Sequence, residues 1–429
     1  MIMENSEKLW TGKVPDNWKF YKGKYIFGER SERGNAINLQ LLSPTQKYGV
    51  IPQSMYDELT SMKSVKVKED TDLSTFKTIH RGDFCISLRS FQGGFEYSEY
   101  EGVVSPAYHV LFSKMDICAG YYKYLFKEQR FIAEMNSYCQ SLRDGKNISY
   151  FDFGRTLIPF PPLSEQQSIA DYLDETCSKI DEIIAEAKAS IDEYRELKQS
   201  VIFEAVTKGL DKNINVYKTG NSWIPLLPAG VKLSRFGLHH DIILGKMLCP
   251  TPRNEEDTLE PYYCAANVHF DGVTGELKTM WFNSKEKETY VVHKNDMLIV
   301  EGGAGAGGAA IMNEEPPVST FVQNSIMIVR SHMKDNRYSC YLVQALVKNK
   351  YVDVVCNKAT IPHFTKEKVS CMPYPVFNRN ERNEIANYLD ERCKQIDSLI
   401  SEKESLINDL EAYKKSLIYE VVTGKRRVV

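Results

Sequence analysis

The chain has 429 residues, of which 42% are hydrophobic and 26% are charged, and its formal net charge is −3. This length exceeds one ordinary core, so two or three domains are expected, and a near-neutral charge argues against non-specific coating of nucleic acid. No run of about 18 apolar residues occurs, which argues against a membrane-spanning helix. The first residues lack the pattern of a secretory signal, and the ten cysteines are not at zinc-ligand spacing. We therefore expect a cytoplasmic protein with reduced thiols.

Residues 1–162 are predicted to form the first globular domain, of mixed α/β type. Trp10 and Pro15 form its entry segment. Gly82 begins a run that is typical of a turn leading into a strand, and a glycine-bearing loop follows that strand. Proline restricts both itself and the residue before it, so the proline-rich run that ends at Pro162 should be extended and should close the domain.

Residues 163–208 contain neither Gly nor Pro, and their apolar residues recur at spacings of three and four. This pattern predicts a long helix with a single apolar seam. The segment holds 11 acidic and 5 basic residues, so the acidic residues are expected on a solvated outer face. The predicted seam residues are Leu173, Cys177, Ile180, Ile184 and Ile191.

Residues 209–375 are predicted to contain a linker and a second globular domain. Trp223 and Pro228 repeat the entry segment 213 residues after its first occurrence. Asn295 and Asp296 then precede a strand and a second glycine-rich loop, as Gly82 and its neighbour do in the first domain. The two globular segments therefore share an outline, although few of their residues match.

Residues 376–429 are predicted to hold a second long helix that repeats the first one. Residues 381–423 align without gaps on residues 165–207, and 19 of the 43 positions are identical. A duplicated long segment of this kind points to an internal structural repeat. The predicted seam residues of the second helix are Leu389, Cys393, Ile396, Ile400 and Ile407.

Two helices that each carry one apolar stripe bury those stripes most simply against each other. The domain between them allows the chain to reverse, which favours an antiparallel pair. The predicted fold class is α+β: two globular α/β domains separated by two long helices that form an antiparallel coiled coil, with a pseudo-two-fold internal repeat. Lys198 and Lys414 fall on the seam, where a buried lysine costs stability but can fix the register.

Signatures of catalysis are weak. Residues 303–308 have the spacing of a dinucleotide-binding glycine motif, but they lack the following helix and the acidic residue that such a site needs. No Gly-Lys pair precedes Ser or Thr, so no P-loop is expected. His239, His240 and Asp241 are adjacent, and neighbouring strand residues point to opposite faces, so a surface pair is favoured over a metal site. We predict no catalytic residue, no metal and no cofactor on this chain.

Three polar loops have the composition of nucleic-acid readers. Arginine, asparagine and glutamine make paired hydrogen bonds to base edges, and lysine contacts phosphates. The candidate DNA-binding residues are Arg89, Ser90 and Gln92 on one loop, Arg143, Lys146 and Asn147 on a second, and Lys358, Thr360 and His363 on the corresponding loop of the second domain.

The start of the first long helix carries a specific motif, Pro161-Pro162-Leu163-Ser164-Glu165-Gln166-Gln167 followed by Ile169-Ala170-Asp171-Tyr172-Leu173-Asp174. This run resembles the P-P-L-x-E-Q-x-x-I-A-x-x-L-D signature of the specificity subunits of type I restriction–modification enzymes. The second helix departs from the signature at residues 378–382 but keeps Ile385, Ala386, Leu389 and Asp390. The resemblance covers the whole chain.

The resemblance implies two target recognition domains, at 1–162 and 209–375, that each read one half of a bipartite, asymmetric double-stranded DNA sequence. The helices at 163–208 and 376–429 would set the half-site spacing and dock two modification subunits, and two restriction subunits are optional further partners. S-adenosylmethionine, ATP and Mg²⁺ are then expected on those partners, and no membrane is expected as a partner.

Two alternative hypotheses stay open from the residues alone. One is a structural coiled-coil scaffold whose globular ends bind proteins, and the other is a stand-alone DNA-modifying enzyme. The missing cofactor motifs argue against the enzyme. Selection from random duplexes would separate a DNA reader from a scaffold.

Overall fold

The computed structural model describes residues 10–33, 40–60, 73–86, 94–138, 148–356 and 362–428. The chain divides into two compact units. The first unit comprises residues 1–187 and 404–429, and the second comprises residues 188–403. Each unit therefore contains one globular part and a portion of each long helix.

The first unit is built from short strands and short helices, followed by the first long helix. In chain order these elements are β1 (Lys19–Lys22), α1 (Gly23–Ile26), β2 (Phe27–Glu29), β3 (Leu42–Thr45), β4 (Gly49–Pro52), α2 (Gln53–Thr60), β5 (Lys77–Ile79), β6 (Phe84–Ile86), β7 (Phe95–Tyr97), β8 (Gly102–Val104), β9 (His109–Ser113), α3 (Ala119–Leu125), α4 (Gln129–Ser137), α5 (Tyr150–Arg155), β10 (Leu157–Phe160) and α6 (Leu163–Lys208). An antiparallel sheet has the strand order β2-β9-β6-β7, and β1 pairs with β10, so the two ends of the globular part meet.

The core of the first unit is largely aromatic. Phe27 and Phe84 from the sheet, Phe126 at the end of α3 and Phe153 from α5 are fully buried. The ring centroids of Phe84 and Phe126 lie 5.1 Å apart in an edge-to-face arrangement, and those of Phe126 and Phe153 lie 5.8 Å apart in the same arrangement. Edge-to-face contacts match the positive edge of one ring to the negative face of another. These rings attach the short helices to the sheet.

The second unit has a similar set of elements and leads into the second long helix. In chain order they are β11 (Val216–Lys218), β12 (Leu226–Pro228), β13 (Lys232–Arg235), β14 (His240–Leu244), β15 (Thr258–Tyr263), β16 (Val268–His269), β17 (Gly272–Val273), β18 (Lys278–Phe282), α7 (Ser284–Tyr290), β19 (Met297–Val300), β20 (Ala309–Ile311), β21 (Phe321–Val322), β22 (Ile326–Ser331), α8 (Arg337–Lys348), α9 (Tyr351–Val355), α10 (Lys366–Ser370), β23 (Pro373–Val376) and α11 (Arg379–Val422). Its main antiparallel sheet has the order β14-β22-β19-β20, and β13 pairs with β23.

The two units repeat one scaffold and differ in what is added to it. The order β14-β22-β19-β20 reproduces β2-β9-β6-β7, and the pair β13–β23 reproduces β1–β10. The second unit adds a three-stranded sheet, β18-β15-β21, whereas the first has the two-stranded pairs β3–β4 and β5–β8. The shared outline inferred from the two entry segments therefore corresponds to a shared sheet topology.

The long helices run without interruption because they contain no residue that breaks a helix. Gly209 follows α6 with φ of +74°, and Gly424 follows α11 with φ of +70°. This left-handed conformation ends a helix and is accessible to glycine without strain. At the start of α11, the Asn378 side chain accepts from the Glu381 amide, and the Glu381 carboxylate accepts from the Asn378 amide, both at 3.0 Å. This reciprocal pair is a capping box.

Within each unit the portions of α6 and α11 run antiparallel. In the first unit, the end of α11 and the early turns of α6 both contact α3. In the second unit, the end of α6 and the early turns of α11 both contact α8. The predicted fold class, mixed helix and sheet with a duplicated long helix that pairs antiparallel, is confirmed.

Most of the predicted seam residues are buried. Those with less than a tenth of their surface exposed are Leu173, Cys177, Ile180, Ile184, Ile191, Leu389, Cys393, Ile396 and Ile407. Ile400 is only half-buried. The seam is therefore less fully covered at Ile400 than at its equivalent in α6, Ile184.

Two lysines predicted on the seam reach its edge instead of being fully buried. Lys198 Nζ lies 2.7 Å from the Asp397 carboxylate in the second unit, and Lys414 Nζ lies 2.6 Å from the Asp181 carboxylate in the first. Asp181 and Asp397 are more than half exposed, as predicted for acidic residues on a solvated face, but they pair with lysines at the edge of the seam instead of lying opposite it. Among the described residues, no helix is long and apolar enough to span a membrane.

Candidate nucleic-acid interface

Most of the predicted DNA-binding residues lie outside the described part of the chain. This holds for Arg89, Ser90 and Gln92 in segment 87–93, for Arg143, Lys146 and Asn147 in segment 139–147, and for Lys358 and Thr360 in segment 357–361. The structure does describe the residues that flank these segments, and it describes His363. The site is therefore built up from those flanking residues.

In the first unit, two of these segments are anchored on one aromatic cluster. Segment 87–93 joins β6 to β7, whose residues Ile86 and Phe95 are paired across the sheet. Segment 139–147 lies between α4 and α5, and Ile148 directly after it is buried. The rings of Phe95 and Phe153 lie 5.0 Å apart and are fully buried. Both segments therefore leave from the same rigid end of the domain.

In the second unit, the corresponding segments contact each other directly. Gly302 follows β19 and forms a β-bridge with His363. The Phe364 amide donates to the Glu301 carbonyl at 2.6 Å, and the Gly303 amide donates to the Pro362 carbonyl at 3.3 Å. The structure thus brings His363 against the glycine-rich loop, although these residues are about sixty positions apart.

The glycine-rich loop is packed where it meets the helices. A Cβ atom on Gly307 would lie 2.8 Å from a Val352 methyl carbon and 3.0 Å from a Val347 methyl carbon, and the φ of Gly307 is +86°. Both the close approach and the left-handed backbone require glycine here. The prediction that this loop is not a dinucleotide site fits its position between two antiparallel strands, β19 and β20, rather than before a helix.

The surface around His363 presents both donors and acceptors. The His363 side chain is 59% exposed, and its Nδ1 lies 3.2 Å from the Glu301 carboxylate. Lys368 Nζ donates to the His363 carbonyl at 2.7 Å. Imidazole and lysine can contact phosphates or base acceptors, and a carboxylate can accept from the amino group of cytosine. The group is therefore chemically suited to a DNA groove.

A buried aspartate braces the turn before the central strand in both units. Asp83 and Asp296 are each 4% exposed. Arg30 donates from Nε to Asp83 at 2.8 Å, and Arg330 donates from Nε to Asp296 at 2.8 Å. Two-point guanidinium–carboxylate pairs have a fixed geometry as well as a strong attraction. These aspartates fix the turn that leads into β6 and into β19, at the opposite end of each strand from the loop that follows it, and both are paired with arginine.

His240 corrects a sequence-based prediction. The pair His239–His240 was expected at the surface, but His240 is 3% exposed and stacks on Phe236 with 3.8 Å between ring centroids. Its Nδ1 lies 2.9 Å from the Phe236 carbonyl, and its Nε2 lies 2.8 Å from Ser339 Oγ. Burial lowers the pKa of His240 to about 4. This histidine is a neutral core residue, because the strand turns it inward.

Glu96 is a buried charge that the sequence did not reveal. It lies on β7 with 1% exposure, and Lys127 Nζ is 2.6 Å from its carboxylate. Burial raises the pKa of Glu96 to about 7, although the neighbouring lysine opposes that shift. The matching strand position in the second unit is Ala310. The only sequence signal would have been an acidic residue at an inward-facing position of a short strand.

The described residues contain no group of three or more His, Cys, Asp or Glu side chains placed to hold a metal ion.

The second unit has a groove of about 850 Å³ between the long helices, the turn from β16 to β17 and the end of α8. Arg195, Lys198 and Lys348 lie on it together with Glu196 and Asp397. Its mixed charge and its half-buried apolar floor suit a protein surface better than a small substrate.

The comparisons with known proteins agree with this geometry. Residues 15–193 match the family model described as the type I restriction modification DNA specificity domain. Residues 15–193 therefore form a type I DNA specificity domain. This specificity domain covers the globular part of the first unit and the first two-thirds of α6. The resemblance stated from the sequence is confirmed.

The similarity extends over the whole chain. A protein of Methanocaldococcus jannaschii, named as a candidate type I restriction enzyme MjaX specificity subunit, is 23% identical over 438 residues, which cover 99% of this chain and 97% of that protein. A chain solved in a study of complex assembly and conformational transition of the type I R-M system has a TM-score of 0.72 at 14% identity, covering 96% of this chain and all of the other. The HsdS subunit from Thermoanaerobacter tengcongensis has a TM-score of 0.56 at 15% identity and covers 96% of this chain and 98% of its own. At such identities the structures show a shared fold.

Proposed function

We propose that this chain is the non-catalytic, DNA-reading subunit of a type I restriction–modification complex in the cytoplasm. Each unit would read one half of a bipartite, asymmetric double-stranded DNA target. The observation that carries this proposal is the repeated sheet, β2-β9-β6-β7 and β14-β22-β19-β20, whose connecting loops differ. One scaffold with two different loop sets is suited to two different half-sites.

The proposed base-reading residues are those on the segments that follow β6, α4 and α9. For the first half-site they are Arg89, Ser90, Gln92, Arg143, Lys146 and Asn147, and for the second they are Lys358, Thr360 and His363. Support comes from the rigid flanks at Phe95 and Phe153 and from the contact of His363 with the glycine-rich loop. A reader needs such a rigid base, because a hydrogen bond to a base edge depends on placement within a few tenths of an ångström.

The long helices are proposed to set the spacing between half-sites and to dock two modification subunits. The solvated face of α6 is rich in acidic residues, which makes DNA an unsuitable ligand for it and a protein a suitable one. The groove along Arg195, Lys198 and Lys348 offers a further protein-binding surface. S-adenosylmethionine, ATP and Mg²⁺ would be held by the modification subunits and by any restriction subunits.

Selection from a pool of random duplexes tests the proposal. The full chain, assembled with its modification subunits, is expected to enrich duplexes that carry two short fixed sequences separated by a constant number of unspecified base pairs. No enriched sequence in the presence of those subunits would contradict DNA reading and would favour a scaffold. Methyl transfer by the purified chain alone, with S-adenosylmethionine and DNA, would instead favour the stand-alone enzyme.

A further inference from the structure

Two tyrosines on α3 bind both long helices in the first unit. The Tyr121 hydroxyl donates to the carbonyl of Val422, the last residue of α11, at 2.9 Å. The Tyr124 hydroxyl donates to the carboxylate of Asp174 in α6 at 2.7 Å. Residues three apart lie on the same face of a helix, so one short helix contacts both members of the helix pair.

The second unit makes the same contacts with the two long helices exchanged. On α8, the Tyr338 hydroxyl donates to the carbonyl of Val206 in α6 at 2.9 Å. The Tyr341 hydroxyl donates to the carboxylate of Asp390 in α11 at 2.8 Å. Val206 and Val422 are equivalent positions of the repeated helix, 216 residues apart, and so are Asp174 and Asp390. We call these four tyrosines the tyrosine clamp.

The inner tyrosine of each unit, Tyr121 or Tyr338, donates a hydrogen bond to a backbone carbonyl at the end of a long helix. The last four carbonyls of a helix have no partner within that helix. Tyr121 is fully buried and Tyr338 is 2% exposed, so each brings a hydroxyl to such a carbonyl in a place where water is excluded. An unpaired carbonyl there would lose its hydration without compensation. The inner pair therefore ties the globular part to the long helix that ends beside it.

The outer tyrosine of each unit, Tyr124 or Tyr341, binds its aspartate together with a cationic side chain of the same short helix. Lys123 Nζ lies 3.6 Å from the Asp174 carboxylate, and Arg337 donates from Nη1 to the Asp390 carboxylate at 2.8 Å. Each aspartate thus receives a hydroxyl and a positive charge from one turn of helix. Hydrogen bonds to an ionised acceptor are stronger and shorter than neutral ones. This favours a single orientation of the short helix against the long one.

We propose that the tyrosine clamp is the positioning element that fixes the orientation of each recognition domain on the helix pair, and that it thereby sets how strictly the spacing of the two half-sites is read. The inference rests on the proposed function. The clamp residues touch no DNA in this scheme. They act by fixing how the globular part as a whole is oriented on the helix pair.

A small rotation of a recognition domain at the clamp is enough to change the half-site spacing that the protein accepts. A domain of about 160 residues has a radius of gyration of about 15 Å. A rotation of about 13° displaces a point at that distance from the axis by about 3.4 Å, which is close to the rise of one base pair of DNA. A domain that rocks by this amount would accept targets whose half-sites are one base pair too close or too far apart.

The test uses the full chain assembled with its modification subunits and a duplex pool that holds both half-sites at spacers of every length. The double variant Tyr124→Phe with Tyr341→Phe keeps both rings and removes only the outer hydroxyls. We expect its preference for the wild-type spacer over a spacer one base pair longer to fall about tenfold, as the loss of a charged hydrogen bond allows. The half-site sequences themselves should not change.

Tyr388→Phe is the matched control, because Tyr388 lies two residues before Asp390 on α11 with 42% of its surface exposed. It should keep the wild-type spacer preference. Hydrogen exchange on the same assemblies should show faster exchange in α3 and α8 for the double variant alone. That measurement reports the loosened clamp even if DNA binding is weakened.

Two results would count against the clamp. Faster exchange in α3 and α8 with an unchanged spacer preference would show that the clamp stabilises the fold without positioning the readers. A changed base preference within a half-site would show that the tyrosines act on the loops themselves. If the wild-type assembly binds DNA without any preferred spacer, the proposed bipartite function is wrong. The proposed role of the clamp is then wrong as well, because it depends on that function.

Discussion

At the scale of single residues, burial separates the polar side chains that hold the fold from those free to bind. Asp83, Asp296 and His240 are buried and fully paired. His363 is 59% exposed, and its Nδ1 faces the Glu301 carboxylate at the surface. The sequence did not indicate which of these polar side chains are buried, because the direction of a side chain depends on the strand that carries it.

His240 predicts an acid-sensitive second unit. Its pKa is about 4 in the folded protein and about 6.5 when unfolded. As the pH falls below 6.5, the unfolded chain binds a proton that the folded core excludes, so stability is lost between about pH 6.5 and pH 4. Between pH 7 and pH 5 the loss should be about 2 kcal/mol. Hydrogen exchange in β14, measured at both values, checks it.

The matched variant for that experiment is suggested by the repeat. Phe27 holds the position in β2 that His240 holds in β14, opposite Ser113 and Ser331 respectively. His240→Phe with Ser339→Ala should remove the titrating group without leaving an unpaired hydroxyl. The protection of β14 should then change little between pH 7 and pH 5. An undiminished pH dependence in this variant would assign the effect to other groups.

Arg89 is predicted to read the first half-site. Arg89→Ala should weaken binding by about 1–3 kcal/mol and relax specificity at one base position of that half-site only, if it contacts a base edge. A phosphate contact would instead reduce the salt dependence evenly for all sequences. Binding to duplexes with substitutions in either half-site, across a salt series, separates the two. Lys212→Ala, at an exposed position after α6, is the control, and equal binding of both variants would remove Arg89 from the interface.

At the scale of elements, the helix pair combines an apolar seam with charged pairs at its edge. Lys414 with Asp181 and Lys198 with Asp397 each join the two long helices within one unit. The lysine side chains are 26% exposed, so their stems cover the seam while the ammonium groups stay near water. Exposed ion pairs add little stability, but opposite charges placed at one height favour one register.

Shortening both helices should therefore shorten the target. Deleting residues 178–184 of α6 and 411–417 of α11 removes one heptad from each facing segment and takes Asp181 out together with its partner Lys414. Seven residues correspond to about 10.5 Å of helix, or about three base pairs. We expect the preferred spacer to change by about that number while both half-site sequences persist.

The measurement is the same duplex selection, sequenced for spacer length. Glu182→Ala with Lys415→Ala changes exposed positions of the same heptads without altering their length, and it should retain the original spacer. A heptad deletion that folds and still selects the original spacer would refute the spacing role of the helices.

At the scale of the whole molecule, the duplication explains why two dissimilar halves share one architecture. The long helices keep 19 identical residues in 43 positions, since each must present the same seam and the same clamp acceptors. The globular parts keep the sheet order, the closing strand pair, the entry segment, the turn held by the Arg–Asp pair and the two clamp tyrosines. Residues that contact a shared element are repeated, whereas the residues of the candidate loops differ between the two globular parts.

The sequence by itself determined the fold class, the repeat and the long helices. These follow from local and periodic properties: spacings of three and four, the absence of Gly and Pro, and glycines at the helix ends. The motif at residues 161–174 was specific enough to indicate the family. The family model then matched residues 15–193.

Only the tertiary structure decided which side chains meet. Examples are the inward turn of His240, the buried Glu96–Lys127 pair, the contact of His363 with the glycine-rich loop and the tyrosine clamp. These contacts join residues 4 to 301 positions apart. No periodic pattern encodes such pairings, because they depend on how strands and helices pack after they form. The candidate loop residues stay a prediction from composition, and the structure contributes the rigid frame that holds them.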